Sequence, residues 1–229
     1  MNRELRRKRL LETLKQITPE MREKLDALKE EQKDLEKPDF IWHFLLQSFA
    51  TMGNVRGWKG LIGDHSNYVR VSFGTLSKLR HDERVTVIEG VLRDAKVRMP
   101  RQKAEWLSKN CDLIIEMGGL EQVKSMALAY KGTEAKISFM KRFYGIGDKY
   151  ARNIWMDVYH LDFHNSIAVD ERIKRITGVL GYTFRNYDEH ERFYLDVAQE
   201  AGLQGWELDR RLYNYRDWFL SVLDARVAI

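Results

Sequence analysis

The sequence predicts an all-α protein, and three observations carry that reading. Apolar residues recur at helical spacing along nearly all of its 229 residues, and only Pro19, Pro38 and Pro100 interrupt the pattern. The one stretch that alternates like a strand, Tyr68 to Phe73, lies in so helical a context that it is expected to be loop or helix. A chain of this length holds one substantial core or two small lobes.

In order, Leu10, Leu11, Leu14 and Ile17, then Met21, Leu25, Leu28 and Leu35, sit among alternating charges and read as a surface helical arm over residues 1–37. Thr18-Pro19-Glu20 reads as an N-cap with proline at the first helical position. After Pro38-Asp39 comes a dense apolar run, Phe40, Ile41, Phe44, Leu45, Leu46 and Phe49, fit for the centre of a domain. A loop, Thr51 to Gly57, follows it. Helices are then expected from Val85 to Leu92, from Arg101 to Ile115 with a stop at Gly118-Gly119, from Leu120 to Leu128 and from Glu134 to Phe143.

Lys and Arg outnumber Asp and Glu to a formal net charge of +5, which suits a polyanionic partner. With Cys111 as the only cysteine, a disulfide, a thiolate iron–sulfur cluster and a thiolate zinc site are all excluded within one chain. The six histidines lack metal-ligand spacing, so no catalytic metal is expected. The N-terminus is charged rather than apolar and no stretch is long enough to span a bilayer, so a soluble intracellular protein is expected, without membrane association.

The chemistry concentrates in Phe143-Tyr144-Gly145-Ile146-Gly147-Asp148-Lys149-Tyr150-Ala151 and in Val169-Asp170 downstream. Glycines at 145 and 147 permit a tight turn whose backbone N–H groups, at a helix N-terminus, suit a phosphate. An amine just past the turn and a carboxylate beyond the next helix and loop are the parts needed for amine chemistry on a sugar.

These residues resemble the helix-hairpin-helix DNA glycosylases of the endonuclease III superfamily. Gly145, Ile146, Gly147, Lys149 and Ala151 match the hairpin motif, and Val169-Asp170 matches the aspartate motif. Arg101 to Leu107 and Leu45 to Thr51 look like two further family helices. Tyr144 stands in place of the usual proline, and Glu171-Arg172 in place of Thr-His or Val-His.

The resemblance implies two helical lobes with a DNA-binding cleft, one built from residues 55–142 and the other from 38–54 plus 143–229. It makes Lys149 the nucleophile and Asp170 its electrostatic and acid/base partner, in a glycosylase that also nicks the strand at the abasic site. Missing cluster cysteines point to the cofactor-free branches, with an oxidised purine such as 8-oxoguanine the first expectation for the lesion. The implied partner is double-stranded DNA with a damaged base or abasic site, met by a monomer in the cytoplasm, nucleoid or nucleus. A monofunctional glycosylase and a non-catalytic DNA-binding module are the rival readings.

Further candidates rest on residue type and position. Gln47 and Phe49 are candidates to fill the gap left by an extruded base. Trp42, Trp155, Trp218 and Phe219 are candidates for the wall of a base pocket. Arg56, Lys59, Arg70, Arg98, Arg101, Lys103 and Arg152 are candidates for phosphate contact.

Overall fold

The protein, as a computed structural model, is described at residues 3–16, 18–29, 35–52 and 56–224. Ile17 of the expected arm and the Gly53-Asn54-Val55 part of the expected loop lie outside these residues. No strand occurs among the described residues, and no helix there is long and apolar enough to cross a membrane.

The chain forms two compact units, Met1–Lys33 with Asp148–Ile229 and Asp34–Gly147. The terminal unit begins with α1 (Arg3–Leu14) and α2 (Pro19–Lys29). The expectation of a surface arm is corrected here. Leu10, Leu11 and Leu14 are buried among Ile173, Ile176, Leu180 and Phe219 of the same unit. Polar contacts fix the helix in place: Arg6 donates to Val179 O, Arg211 donates to Leu14 O at 2.9 Å, and Arg7 pairs with Glu200 at 2.6 Å.

The middle unit is built on α3 (Phe40–Thr51), whose apolar residues are all buried and which leaves only the stripe of His43, Gln47 and Thr51 incompletely covered, as suits a core helix. Around it come α4 (Arg56–Leu61), α5 (His65–Arg70), α6 (Phe73–Leu76), α7 (His81–Asp94), α8 (Pro100–Glu116), α9 (Leu120–Ala129) and α10 (Thr133–Met140). The strand-like alternation at 68–73 is spent on the end of α5 and the start of α6. Asp64 and Ser72 cap these two helices by accepting from Asn67 N–H and Thr75 N–H.

Residues 38–54 were expected to join the terminal lobe, but α3 belongs to the middle unit. The cause is local and polar as well as apolar. Lys103 of α8 is fully buried, and its ammonium donates to Phe49 O and Met52 O, each at 2.8 Å. These carbonyls lie in the last turn of α3 and at its C-cap, Met52, where helix carbonyls lack partners within the helix and a cation meets the negative end of the dipole. Burial pulls the Lys103 pKa down to about 8, with Arg98 adding to the effect. Lys103 is therefore a helix cap in the core, and its expected phosphate contact is corrected.

The terminal unit resumes with α11 (Asp148–Asp157), a 3-10 turn (Leu161–Phe163), α12 (Glu171–Leu180), α13 (Tyr187–Glu200), α14 (Gly205–Asn214) and α15 (Arg216–Asp224).

Candidate active site

In the middle unit the hairpin sequence is held from beneath. Asn110 of α8 accepts from Tyr144 N–H at 2.7 Å and donates to Tyr144 O at 3.1 Å, which fixes the chain entering the turn. Gly145 has φ of +79°, and a Cβ there would lie 2.7 Å from Trp106 Cε3 and 2.8 Å from Phe49 Cε1. Both backbone and space therefore demand glycine at this position. At Gly147 nothing lies within 4 Å of the place a Cβ would take, so that side of the turn is open. Ile146 is buried and anchors the turn between them.

Phe49 is fully buried and tilted against Trp106, with ring centroids 5.8 Å apart. It forms the floor under Gly145, so its expected insertion into a duplex is corrected. Gln47, on the same helix, is half-buried.

In the terminal unit Lys149 lies in the first turn of α11, half-buried, with its Nζ 4.4 Å from the centroid of the Tyr150 ring. Burial pulls its pKa below the usual lysine range. Asp170 opposes that shift, Arg172 adds to it, and Tyr213 and Asp209 oppose it. Asp170 is the N-cap of α12, accepting from Arg172 N–H at 2.8 Å and Ile173 N–H at 3.0 Å through one carboxylate oxygen. The capping bonds hold the carboxylate in one orientation and leave the second oxygen for other partners. Lys149 and Asp170, named from sequence alone, thus share one electrostatic neighbourhood.

The extended segment leading to Asp170 is pinned by three side chains that sequence reasoning missed. Glu191 accepts from Ile167 N–H at 3.0 Å, and Asp209 accepts from Ala168 N–H at 3.0 Å. The Tyr187 hydroxyl donates to Ile167 O and accepts from Val169 N–H, both at 2.9 Å. Burial pushes the Asp209 carboxyl up to about 6, opposed by Arg210 and the Ala168 N–H and reinforced by Asp170 and Asp157. The signal was present in the sequence: Asp209 stands three residues from both Trp206 and Leu212, on the apolar face of α14.

Arg152, expected at a phosphate, is instead buried with an ion pair to Glu191 at 2.7 Å and its guanidinium 4.3 Å from the Tyr187 ring centroid. It supports the same pinning groups, because a buried charge needs a partner. Three of the four expected base-pocket residues are core. Trp42 donates its indole N–H to Val71 O at 2.8 Å, Trp155 stacks on Phe163 with centroids 6.0 Å apart, and Phe219 lies in the core of the terminal unit. Trp218 is half-buried and packs on that core edge-on to Phe219. Among the described residues no group of three or more His, Cys, Asp or Glu side chains is placed to hold a metal.

The all-α fold defined by these helices is the fold of the 8-oxoguanine DNA glycosylases. The 8-oxoguanine DNA glycosylase of Methanocaldococcus jannaschii is similar over 96% of this chain and 97% of its own, with a TM-score of 0.68 and 18% identity. That of Thermotoga maritima is similar over 91% of this chain and 96% of its own, with a TM-score of 0.65 and 18% identity. The M. jannaschii 8-oxoguanine glycosylase/lyase has also been solved with a 15mer DNA containing 8-oxoguanine. In that form it covers 91% of this chain and 96% of its own, at a TM-score of 0.64 and 17% identity. No protein-family model and no curated protein matches the sequence.

Proposed function

We propose that this chain is a DNA glycosylase of base excision repair with an abasic-site lyase step, acting on an oxidised purine such as 8-oxoguanine in duplex DNA. The observation that carries the reading is a half-buried Lys149 with its amine drawn towards the neutral form, in the same electrostatic neighbourhood as an Asp170 locked as a helix cap. A binding module needs the glycine turn but has no use for that pair. The fold likeness to 8-oxoguanine DNA glycosylases, one of them solved with a lesion-bearing duplex, supports the substrate class.

The chemistry follows from the two groups. The target base is stacked inside the duplex, so the nucleotide must first be extruded. As the glycosidic bond breaks, its electron pair leaves with the base, which takes up a proton, and Asp170 stabilises the positive charge on the sugar. The neutral Lys149 amine bonds to C1′ and loses its proton, and ring opening gives an imine. Loss of a proton from C2′ then expels the 3′ phosphate and nicks the strand. The open side of Gly147 gives the phosphate backbone room to approach the turn.

The test is borohydride trapping on an abasic-site duplex. Wild type should form a covalent adduct and Lys149→Gln none. A wild-type protein that binds the duplex yet neither traps nor nicks would overturn the lyase step, and release of free 8-oxoguanine would then decide whether base removal stands without it.

A further inference from the structure

The reaction written above needs two groups that the backbone carries on separate elements. Lys149 stands in the first turn of α11, and Asp170 ends the extended segment before α12. The amine must reach C1′ from one element while the carboxylate faces the sugar from the other, so the spacing of the two backbones is part of the chemistry. One buried side chain holds both. Arg152 lies three residues past Lys149 on α11, and its Nη1 donates to Asp148 O at 3.3 Å, the carbonyl of the peptide bond that joins Asp148 to Lys149. Its Nη2 lies 2.7 Å from Glu191 Oε2, and the other oxygen of that carboxylate accepts from Ile167 N–H at 3.0 Å, three residues before Asp170. The guanidinium carbon also lies 4.3 Å from the centroid of the Tyr187 ring, whose hydroxyl bonds both Ile167 O and Val169 N–H.

We infer that Arg152, acting through Glu191 and Tyr187, is a positioning residue that sets the reach of Lys149 relative to Asp170. The inference rests on the reading of Lys149 and Asp170 as the reacting pair. An unbroken chain of contacts runs from the Lys149 peptide through the guanidinium and one carboxylate to the amide of Ile167, with the Tyr187 ring as a second link to the same segment. A buried ion pair stabilises a fold little more than apolar side chains of the same volume would, because desolvating both charges offsets much of their attraction. What it adds is direction. A guanidinium is planar and its nitrogens point along fixed lines, so one arginine can hold a helix carbonyl and a carboxylate at a set separation.

The test separates rate from folding, on the full-length protein. Arg152→Met removes the guanidinium and strands the buried Glu191 carboxylate, so it should lower the urea midpoint and slow the reaction together. Adding Glu191→Gln removes the stranded charge, while the amide oxygen can still accept from Ile167 N–H. The double variant should recover most of the lost urea midpoint. Its single-turnover nicking of an abasic-site duplex at saturating protein should nonetheless stay about ten- to a hundredfold slower than wild type. Its affinity for a duplex with a reduced abasic site, measured by fluorescence anisotropy, should stay within about twofold of wild type. Arg152→Lys, which keeps the charge and loses the fork, should fall between wild type and Arg152→Met. A double variant that nicks at the wild-type rate once its stability returns would sink the inference and leave Arg152 a countercharge for Glu191. A loss confined to affinity would do the same. Wild type that fails to nick would sink the reading of Lys149 and this inference with it, whereas an active wild type with unaffected variants sinks the inference alone.

Discussion

A methyl group added at Gly145 meets two aromatic rings, and one added at Gly147 meets open space. The two hairpin glycines therefore have different reasons to be glycine. Gly145→Ala combines a left-handed φ with a forced approach to Trp106 and Phe49, and should destabilise the protein by about 2–4 kcal/mol. Gly147→Ala should leave the unfolding midpoint within about 1 kcal/mol of wild type or slightly above it, while weakening binding to an abasic-site duplex. Urea unfolding and fluorescence anisotropy check the pair, and a Gly147→Ala protein that binds as tightly as wild type would remove the phosphate role from this turn. Both glycines were legible in the sequence as one motif, but their separate roles were not. The difference depends on Phe49 and Trp106, which come from distant stretches of the chain. The same gap explains why Phe49, Trp42, Trp155 and Arg152 read as functional: residue type shows what a side chain can do, and burial depends on partners that sequence order does not reveal.

Helices were legible because their period is local, and each expected helix of the middle unit is present within a few residues of its expected ends. The irregular segment before Asp170 was not legible, because its form depends on Tyr187, Glu191 and Asp209, on the second and third helices further on. Asp209 gives that segment a pH dependence. Its folded pKa of about 6 lies above the unfolded value near 3.8, so the folded state binds the extra proton. The stability this contributes is present below pH 3.8 and is lost as the pH rises through 6. Asp209→Asn keeps an oxygen to accept from Ala168 N–H and cannot ionise. Between pH 4.5 and pH 8, wild type should lose up to about 2 kcal/mol relative to Asp209→Asn in urea unfolding. A stability difference that stays constant across that range would show that Asp209 is ionised throughout.

At the scale of the whole chain, residues from both ends fold into one unit, and this determines how the helices that carry Lys149 and Asp170 are stabilised. The charged, loosely periodic start of the sequence read as an arm, because its apolar positions are few and its mean character is polar. Leu10, Leu11, Leu14 and Leu25 among them are nonetheless buried. Leu10, Leu11 and Leu14 are at most 7% exposed, and they pack on α12 residues Ile173, Ile176 and Leu180, the helix that Asp170 caps. Three buried leucines contribute about 5–9 kcal/mol by area, comparable with the roughly 5–15 kcal/mol by which a whole domain is stable. Deleting residues 1–16 should therefore unfold or loosen α12 and α15, although no catalytic candidate is removed. Amide hydrogen exchange on the truncated protein should show protection lost over 171–180 and 216–224, with trapping on the abasic duplex abolished. Restoring the segment as a separate peptide should recover part of both. A truncated chain with wild-type protection in α12 would mean that α1 only covers a core able to stand without it, and the position of Asp170 would then depend on the Tyr187, Glu191 and Asp209 contacts alone.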